Sequence, residues 1–214
     1  MPNLFHELEA TGVVCGVDEA GRGPWAGPVV AAAVILGRSR AALCALPAVF
    51  LKDLDDSKRL APERRERLCH ALREAARDGS VVFGIAAASV AEIDRLNILG
   101  ATHLAMARAV VALRVRPDLA LIDGNRAPPL PCAVKTIVRG DGLSLSIAAA
   151  SVLAKVTRDR LMSRLGARYP DFRWEQNMGY GTQFHREALY RHGPTPHHRL
   201  SFDPVRSRQG SLSI

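Results

Sequence analysis

Lysine is scarce in this sequence, cysteine is scattered, and no long stretch lacks charge. Each shortage excludes something. No 18-residue run is free of charged side chains, which argues against an apolar membrane-spanning helix. The opening residues MPNLFHELEATG lack a basic region followed by an apolar core, so no secretory leader is expected. The four cysteines, Cys15, Cys44, Cys69 and Cys132, lie 29, 25 and 63 residues apart with no C-x-x-C pair. That spacing fits neither a zinc site nor a disulfide framework. Four reduced, mostly buried thiols in a cytoplasmic protein are expected instead. Internal repeats and low-complexity segments are absent.

What is present describes an ordinary folding chain with an unusual charge. Its 214 residues are 48% hydrophobic and 23% charged, which fits one large domain with a core of its own. Basic residues number 29 against 21 acidic, a net charge of +8, and only four of the 29 are lysine. Residues 1–150 carry 18 basic and 16 acidic side chains, whereas residues 151–214 carry 11 and 5. A basic C-terminal third suits a polyanionic partner, nucleic acid above all, although solvated arginine on helix faces gives the same count.

Apolar periodicity outlines the elements. Val13–Asp18 and Val29–Leu36 are apolar runs joined by a Gly/Pro-rich connection, which predicts antiparallel neighbouring strands. Residues 38–61 look irregular. Pro62 suits a first helical position, with Leu68, Leu72, Ala75 and Ala76 at helical spacing and Gly79 as the stop. Val81–Ala88 reads as a strand, Ser89 as the cap of a short helix over Val90–Asn97, and Ala101–Val115 as a second helix. Leu119–Asp123 and Ala133–Val138 are strands around the proline-rich loop NRAPPLP. Ser146–Leu165 is a long helix lined with small residues, residues 166–182 are mixed, and Gln183–Arg191 is a short helix. Strands alternating with helices indicate a mixed α/β sheet with a helical C-terminal portion.

Acidic side chains stand where apolar strands stop. Asp18 and Glu19 end the first strand, Asp123 ends the fourth just before Gly124, and Asp141 follows the fifth. Carboxylates gathered at strand ends repel one another unless a divalent cation binds, and Mg²⁺ takes such oxygen ligands. Two ions about 4 Å apart can activate a water and stabilise the leaving oxygen of a phosphodiester. Taken singly, Asp-Gly is an ordinary turn pair. The adjacent Asp18-Glu19 pair is less ordinary, because it serves no packing purpose.

The segment GVDEAGRGPWAGPVVAAAVIL at residues 16–36 closely resembles the opening motif of bacterial ribonuclease HII, a type 2 ribonuclease H. DDSKRL (55–60), LIDGN (121–125), RGD (139–141), SIAAASVLAKVTRDRLM (146–162), MGYGT (178–182) and HHRLSFDPV (197–205) resemble later motifs of that family, in the same order. The resemblance implies a ribonuclease H-like fold, a mixed five-stranded sheet flanked by helices with a C-terminal helical extension. It divides the single domain of residues 1–214 into a catalytic core at about 12–165, the extension at about 166–205 and a flexible tail at 206–214. It implies cleavage of the RNA strand of RNA/DNA hybrids and incision 5′ to single ribonucleotides embedded in duplex DNA, leaving 3′-hydroxyl and 5′-phosphate ends. Asp18, Glu19, Asp123 and Asp141 match the acids that hold two Mg²⁺ or Mn²⁺ ions.

Gly21, Arg22 and Gly23 match the loop that contacts the 2′-hydroxyl and nearby phosphates, and Tyr180 the tyrosine that packs on the adjoining sugar. Ser151 and Lys155, four apart on one helix face, are candidates for a backbone phosphate. Trp25 stands where leucine is common and Met178 where a basic residue is often found. Asp159 suits a salt-bridged acid, and His185, His197 and His198 suit structural hydrogen bonding. The related type HIII usually carries a long N-terminal domain and a glutamate in the fourth acidic position, so Asp141 favours type HII. A monomer with no membrane association is expected, and the sequence names no protein partner.

Overall fold

The computed structural model describes residues 1–209. Elements follow one another as α1 (Phe5–Glu9), β1 (Val14–Ala20), β2 (Val29–Ile35), α2 (Arg40–Cys44), α3 (Ala48–Asp53), α4 (Pro62–Ala75), β3 (Val82–Ala88), α5 (Val90–Val111), β4 (Leu119–Asp123), β5 (Ala133–Ile137), α6 (Leu145–Arg168), α7 (Trp174–Asn177), α8 (Gln183–His192) and α9 (Val205–Gln209). The sheet order is β3-β2-β1-β4-β5. β1, β2 and β3 pair antiparallel, while β1, β4 and β5 run parallel. This is the expected mixed five-stranded sheet with flanking helices.

Strand alternation divides the core into two layers. Val29, Ala31, Ala33 and Ile35 of β2 pack with Ile93, Ala101, Ala105 and Ala109 of α5. Ala32, Val34 and Leu36 turn to the other face, against Ala149, Val152 and Leu153 of α6, with α4 beyond them. α6 approaches β1 so closely that a Cβ at Gly16 would lie 2.2 Å from the Ile147 nitrogen. The small residues along its N-terminal half serve that approach.

Several elements differ from their sequence-based outlines. Residues 38–61 are not irregular: they hold α2, capped by the Ser39 hydroxyl, and α3, each burying one large side chain, Leu43 and Phe50. Helices of five and six residues are too short to show a period. The two helices expected over 90–115 merge into α5, broken at Asn97 with φ 59°. The Asn97 carboxamide oxygen accepts from Leu99 N and Gly100 N, so it restarts the helix as a cap would. α9 carries regular structure into the segment expected as a tail from residue 206, and residues 210–214 of that tail lie outside the described residues. Of the thiols, Cys15 and Cys69 are buried, Cys132 is half-buried, and Cys44 is exposed, against the expectation for most of them.

α1 fastens the start of α6. The Glu7 carboxyl is 3% exposed. Its Oε1 accepts from the Ser146 amide at 2.9 Å and the Ser146 hydroxyl at 2.7 Å, and from the Ser144 hydroxyl as well. Backbone bonds join Asn3 to Leu143 and Leu145 on either side. Glu7→Ala leaves these donors buried without an acceptor, so a loss of about 2 kcal/mol is expected in equilibrium denaturation. A change under about 0.5 kcal/mol would show that water replaces the carboxyl.

Candidate metal centre and nucleic-acid interface

Parallel pairing of β1, β4 and β5 brings their C-terminal ends to one edge of the sheet. Val17 pairs with Ile122, so Asp18 and Asp123 leave neighbouring strands side by side. Both share the parity of residues that face α6, Gly16 on β1 and Leu121 on β4. Asp141 arrives from the single-turn 3-10 helix Gly140–Gly142, between β5 and α6. The Gly140 amide donates to Asp123 Oδ1 at 2.7 Å, which ties that turn to β4. One carboxylate oxygen from each of Asp18, Asp123 and Asp141 lies within 4.8 Å of the others.

Glu19 is held differently. Adjacent strand residues point to opposite faces, so Glu19 turns toward α5. It lines a cleft of about 250 Å³ with Arg22, Thr102, His103, Asp123 and Arg126. Its carboxylate faces the Arg22 guanidinium at 3.4 Å. Asp123 also lines a second cleft of about 490 Å³ with Asp56, Lys58, Arg59, Arg139 and Asp141. Three of the four sequence-identified acids thus gather on one side, and Glu19 reaches the same edge from the other.

The electrostatics are strained as they stand. Burial, then Glu19 and Asp123, push the Asp18 carboxyl well above the usual carboxylate range. Burial, then Asp123 and Asp56, push Asp141 up to about 6. Burial raises Glu19 too, partly offset by Arg22. Lys58, within the DDSKRL segment, joins the acids. Burial opposes its ammonium, but Asp18, Asp56, Asp141 and Asp123 together raise its pKa, so it faces the cluster as a cation. Its signal in the sequence was its rarity as one of four lysines. Converging hard oxygen donors that resist ionising together form a donor set suited to a divalent cation.

The glycine loop lies beside the acids. Gly21 is buried with φ 97°, while Arg22 and Gly23 are exposed. A Cβ built on Gly23 would lie 3.7 Å from Cε1 of Tyr180, so the loop and that ring stand side by side. Tyr180 is 46% exposed. Trp25 packs over Gly181, where a Cβ would meet its ring at 2.2 Å, and so braces the Tyr180 turn. Met178 adopts φ 50° as the C-cap of α7.

Ser151 and Lys155, the pair expected to reach one phosphate, are each engaged within the protein. Ser151 is 2% exposed, and its hydroxyl accepts the Ser57 amide at 3.0 Å, anchoring the 56–59 turn that carries Lys58. Lys155 is paired with Asp159 at 2.7 Å. One helix face carries both, but Ser151 serves an amide 94 residues away and Lys155 serves Asp159 one turn along the same helix.

His185 and His198 are structural. Thr195 N–H donates to His198 Nδ1 at 2.9 Å, which leaves His198 Nε2 to donate to His185 Nε2 at 3.0 Å. His185 Nδ1 then donates to the Tyr180 carbonyl at 2.9 Å. The accepting nitrogens, His198 Nδ1 and His185 Nε2, require neutral rings, and His185 Nε2 also faces the Trp174 indole N–H at 3.2 Å. His197 stands edge-on to Tyr169 instead. Burial, then the neighbouring histidines, push His198 down to about 3 from an ordinary 6.5. The unfolded chain therefore binds protons that the folded chain refuses, and stability is lost as pH falls from 6.5 toward 3. Between pH 7 and 5, the wild type is expected to lose about 2 kcal/mol relative to His198→Asn. Parallel pH profiles in urea denaturation would remove the histidine from this role.

Comparison with known proteins bears on what such a site does. A family profile described as ribonuclease HII matches residues 15–205. A ribonuclease HII from Paramagnetospirillum magneticum is 56% identical over 205 residues, covering 96% of this chain and 97% of that protein. The crystal structure of ribonuclease H2 from Pyrococcus horikoshii superposes with a TM-score of 0.70 at 24% identity, covering 94% of this chain and 98% of that one. Bst-RNase HIII, solved in complex with Mn²⁺, superposes with a TM-score of 0.66 at 20% identity, covering 97% and 72%. These two share the fold. Among the described residues, no helix is long and apolar enough to cross a membrane.

Proposed function

Because the chain belongs to the ribonuclease HII family and is thus an endoribonuclease of the ribonuclease H type, we propose that it cleaves the RNA strand of RNA/DNA hybrids and incises duplex DNA 5′ to single embedded ribonucleotides, leaving 3′-hydroxyl and 5′-phosphate ends. Asp18, Glu19, Asp123 and Asp141 are the catalytic acids of this reading and hold two divalent ions, Mg²⁺ or Mn²⁺. The observation that carries it is the gathering of Asp18, Asp123 and Asp141 next to the exposed Arg22–Gly23 loop and Tyr180. Such ions supply activation of a water and stabilisation of the departing 3′-oxygen.

The chain's own groups do the rest. Asp18 and Asp123 fix ligand oxygens from rigid strands, and Asp141 from a turn held by the Asp123–Gly140 bond. The Lys58 ammonium lies over the cluster, where it can meet a phosphate and limits carboxylate repulsion. Arg22, Arg59, Arg126 and Arg139 rim the two clefts and suit a polyanion above an acidic floor. The exposed amides of Arg22 and Gly23 suit contacts to a 2′-hydroxyl and its phosphate, since the missing Cβ of Gly23 permits close approach. The Tyr180 ring suits packing on the neighbouring sugar. We read the protein as a cytoplasmic monomer.

The test is a DNA duplex holding one ribonucleotide, incubated with Mg²⁺, Mn²⁺ or EDTA beside an all-DNA duplex. Metal-dependent incision 5′ to the ribonucleotide, with the all-DNA duplex uncut, is expected. Cutting of both duplexes, or of neither with either metal, would overturn the reading.

A further inference from the structure

Two arginines of the C-terminal third are among the most deeply buried side chains in the molecule. Arg158 is 1% exposed and Arg199 is 0% exposed. Neither forms an ion pair with a carboxylate among the described residues. Burying a cation without an anion costs several kcal/mol unless hydrogen bonds replace its hydration. Here they do, and every acceptor is a backbone carbonyl. Arg199 Nε donates to Gly27 O at 3.0 Å, Nη1 to Arg22 O at 2.8 Å and Nη2 to Gly21 O at 2.5 Å. Arg158 Nε donates to Pro28 O at 3.1 Å, Nη1 to Met178 O at 3.0 Å and Nη2 to Ala26 O at 3.0 Å.

The peptide plane gives this arrangement a direction. In a trans peptide the carbonyl and the following N–H point opposite ways. Turning the Gly21 and Arg22 carbonyls inward to one guanidinium turns the Arg22 and Gly23 amides outward. Both residues are exposed, and among the described residues neither amide finds a protein acceptor. Arg158 meanwhile joins residues 26–28 to Met178, two residues before Tyr180. Together the two side chains hold the Gly23 loop and the Tyr180 turn beside each other.

We propose that Arg158 and Arg199 are positioning residues, whose buried guanidinium groups set the Arg22 and Gly23 amides and the Tyr180 ring at the spacing that tells a ribonucleotide from a deoxyribonucleotide. The inference rests on the reading of the Gly21–Gly23 loop as the part that meets the substrate sugar. Lysine keeps the charge, but its three N–H donors radiate from one nitrogen instead of a planar fork, so it cannot reach the three carbonyls where the fork meets them. Both guanidinium groups stay charged at neutral pH, although burial pushes Arg158 down to about 10, and burial together with Arg158 pushes Arg199 down to about 9.

The experiment compares Arg199→Lys and Arg158→Lys with the wild type in three measurements. These are kcat and KM on a duplex with one ribonucleotide, the cleavage ratio of that duplex to an all-DNA duplex, and the rise in Tm on adding Mg²⁺. A misplacement of about 1 Å costs about 100-fold, so a fall of that order in kcat is expected. The ribonucleotide preference should fall with it, while the Mg²⁺-induced rise in Tm persists because the acids are untouched. Folded variants that keep kcat and the preference within about twofold would overturn the proposal. Failure of both variants to fold would overturn it too, by making the arginines structural alone. A wild type that cuts all-DNA duplex equally would instead overturn the reading of the loop, whatever the variants do.

Discussion

Asp18→Asn is expected to stabilise the metal-free protein while lowering kcat by about three orders of magnitude. The two effects share one cause. Burial is the largest influence on the Asp18 carboxyl, and Glu19 and Asp123 add to it, so its pKa in the folded chain stands well above the ordinary 3.8. A group that binds its proton more tightly when folded costs stability wherever it is ionised. That cost is present at neutral pH and is relieved as pH falls through the raised folded value toward 3.8. Asparagine keeps the shape and removes the charge, which should gain about 1–2 kcal/mol, or several degrees in Tm for a chain of this size. The wild type recovers the same cost by binding a divalent cation, so millimolar Mg²⁺ should raise its Tm markedly and that of Asp18→Asn little. Differential scanning fluorimetry with and without Mg²⁺, paired with cleavage rates, checks both halves. A variant whose Tm falls, or whose Mg²⁺ response equals the wild type, would remove Asp18 from the ligand set.

The ends of the strands were legible because they are marked locally. β1 and β4 are apolar runs stopped by Asp18-Glu19 and by Asp123-Gly124, and parallel pairing needed only to set the stops side by side. The opposed orientation of Asp18 and Glu19 was available from strand parity, yet the motif treats the two as one unit. What stayed hidden depends on distant chain. The Ser151 hydroxyl meets an amide 94 residues away, and Arg199 meets carbonyls 172 to 178 residues away. Counting charge leaves the partners of each cation hidden for the same reason. Of the 11 basic residues after 150, Arg158 and Arg199 are buried on backbone carbonyls, and Lys155, Arg160 and Arg206 are paired with Asp159, Glu66 and Asp203. The cations that rim the acidic clefts come from the earlier part of the chain, whose net charge is small. A surplus of arginine over a segment is therefore not a count of free cations on its surface.

Gly21→Ala and Gly23→Ala, two residues apart in one loop, are expected to fail in different ways. At Gly21 a Cβ would lie 1.9 Å from Arg158 Nε and 2.3 Å from Cδ, and φ is 97°. The colliding atoms are not the free end of a flexible chain, because the Arg158 fork is held by three carbonyls in a buried site. Either the fork leaves its carbonyls or the loop moves, and the positive φ adds strain in both cases. Lost charged hydrogen bonds and strain together should cost about 3–5 kcal/mol, a fall in Tm of about 10 °C. Cleavage should fall by about 100-fold as the outward amides lose their aim. At Gly23 no such collision exists, since the nearest heavy atom, Cε1 of Tyr180, would be 3.7 Å from the new methyl. Stability should stay within about 0.5 kcal/mol of the wild type. The methyl instead covers the exposed backbone that a sugar would approach, so KM should rise and kcat fall with the fold intact. Thermal denaturation and steady-state cleavage of the two variants side by side separate a glycine that the fold requires from one that the ligand requires. Equal losses of stability in both would mean that the loop's glycines serve folding alone.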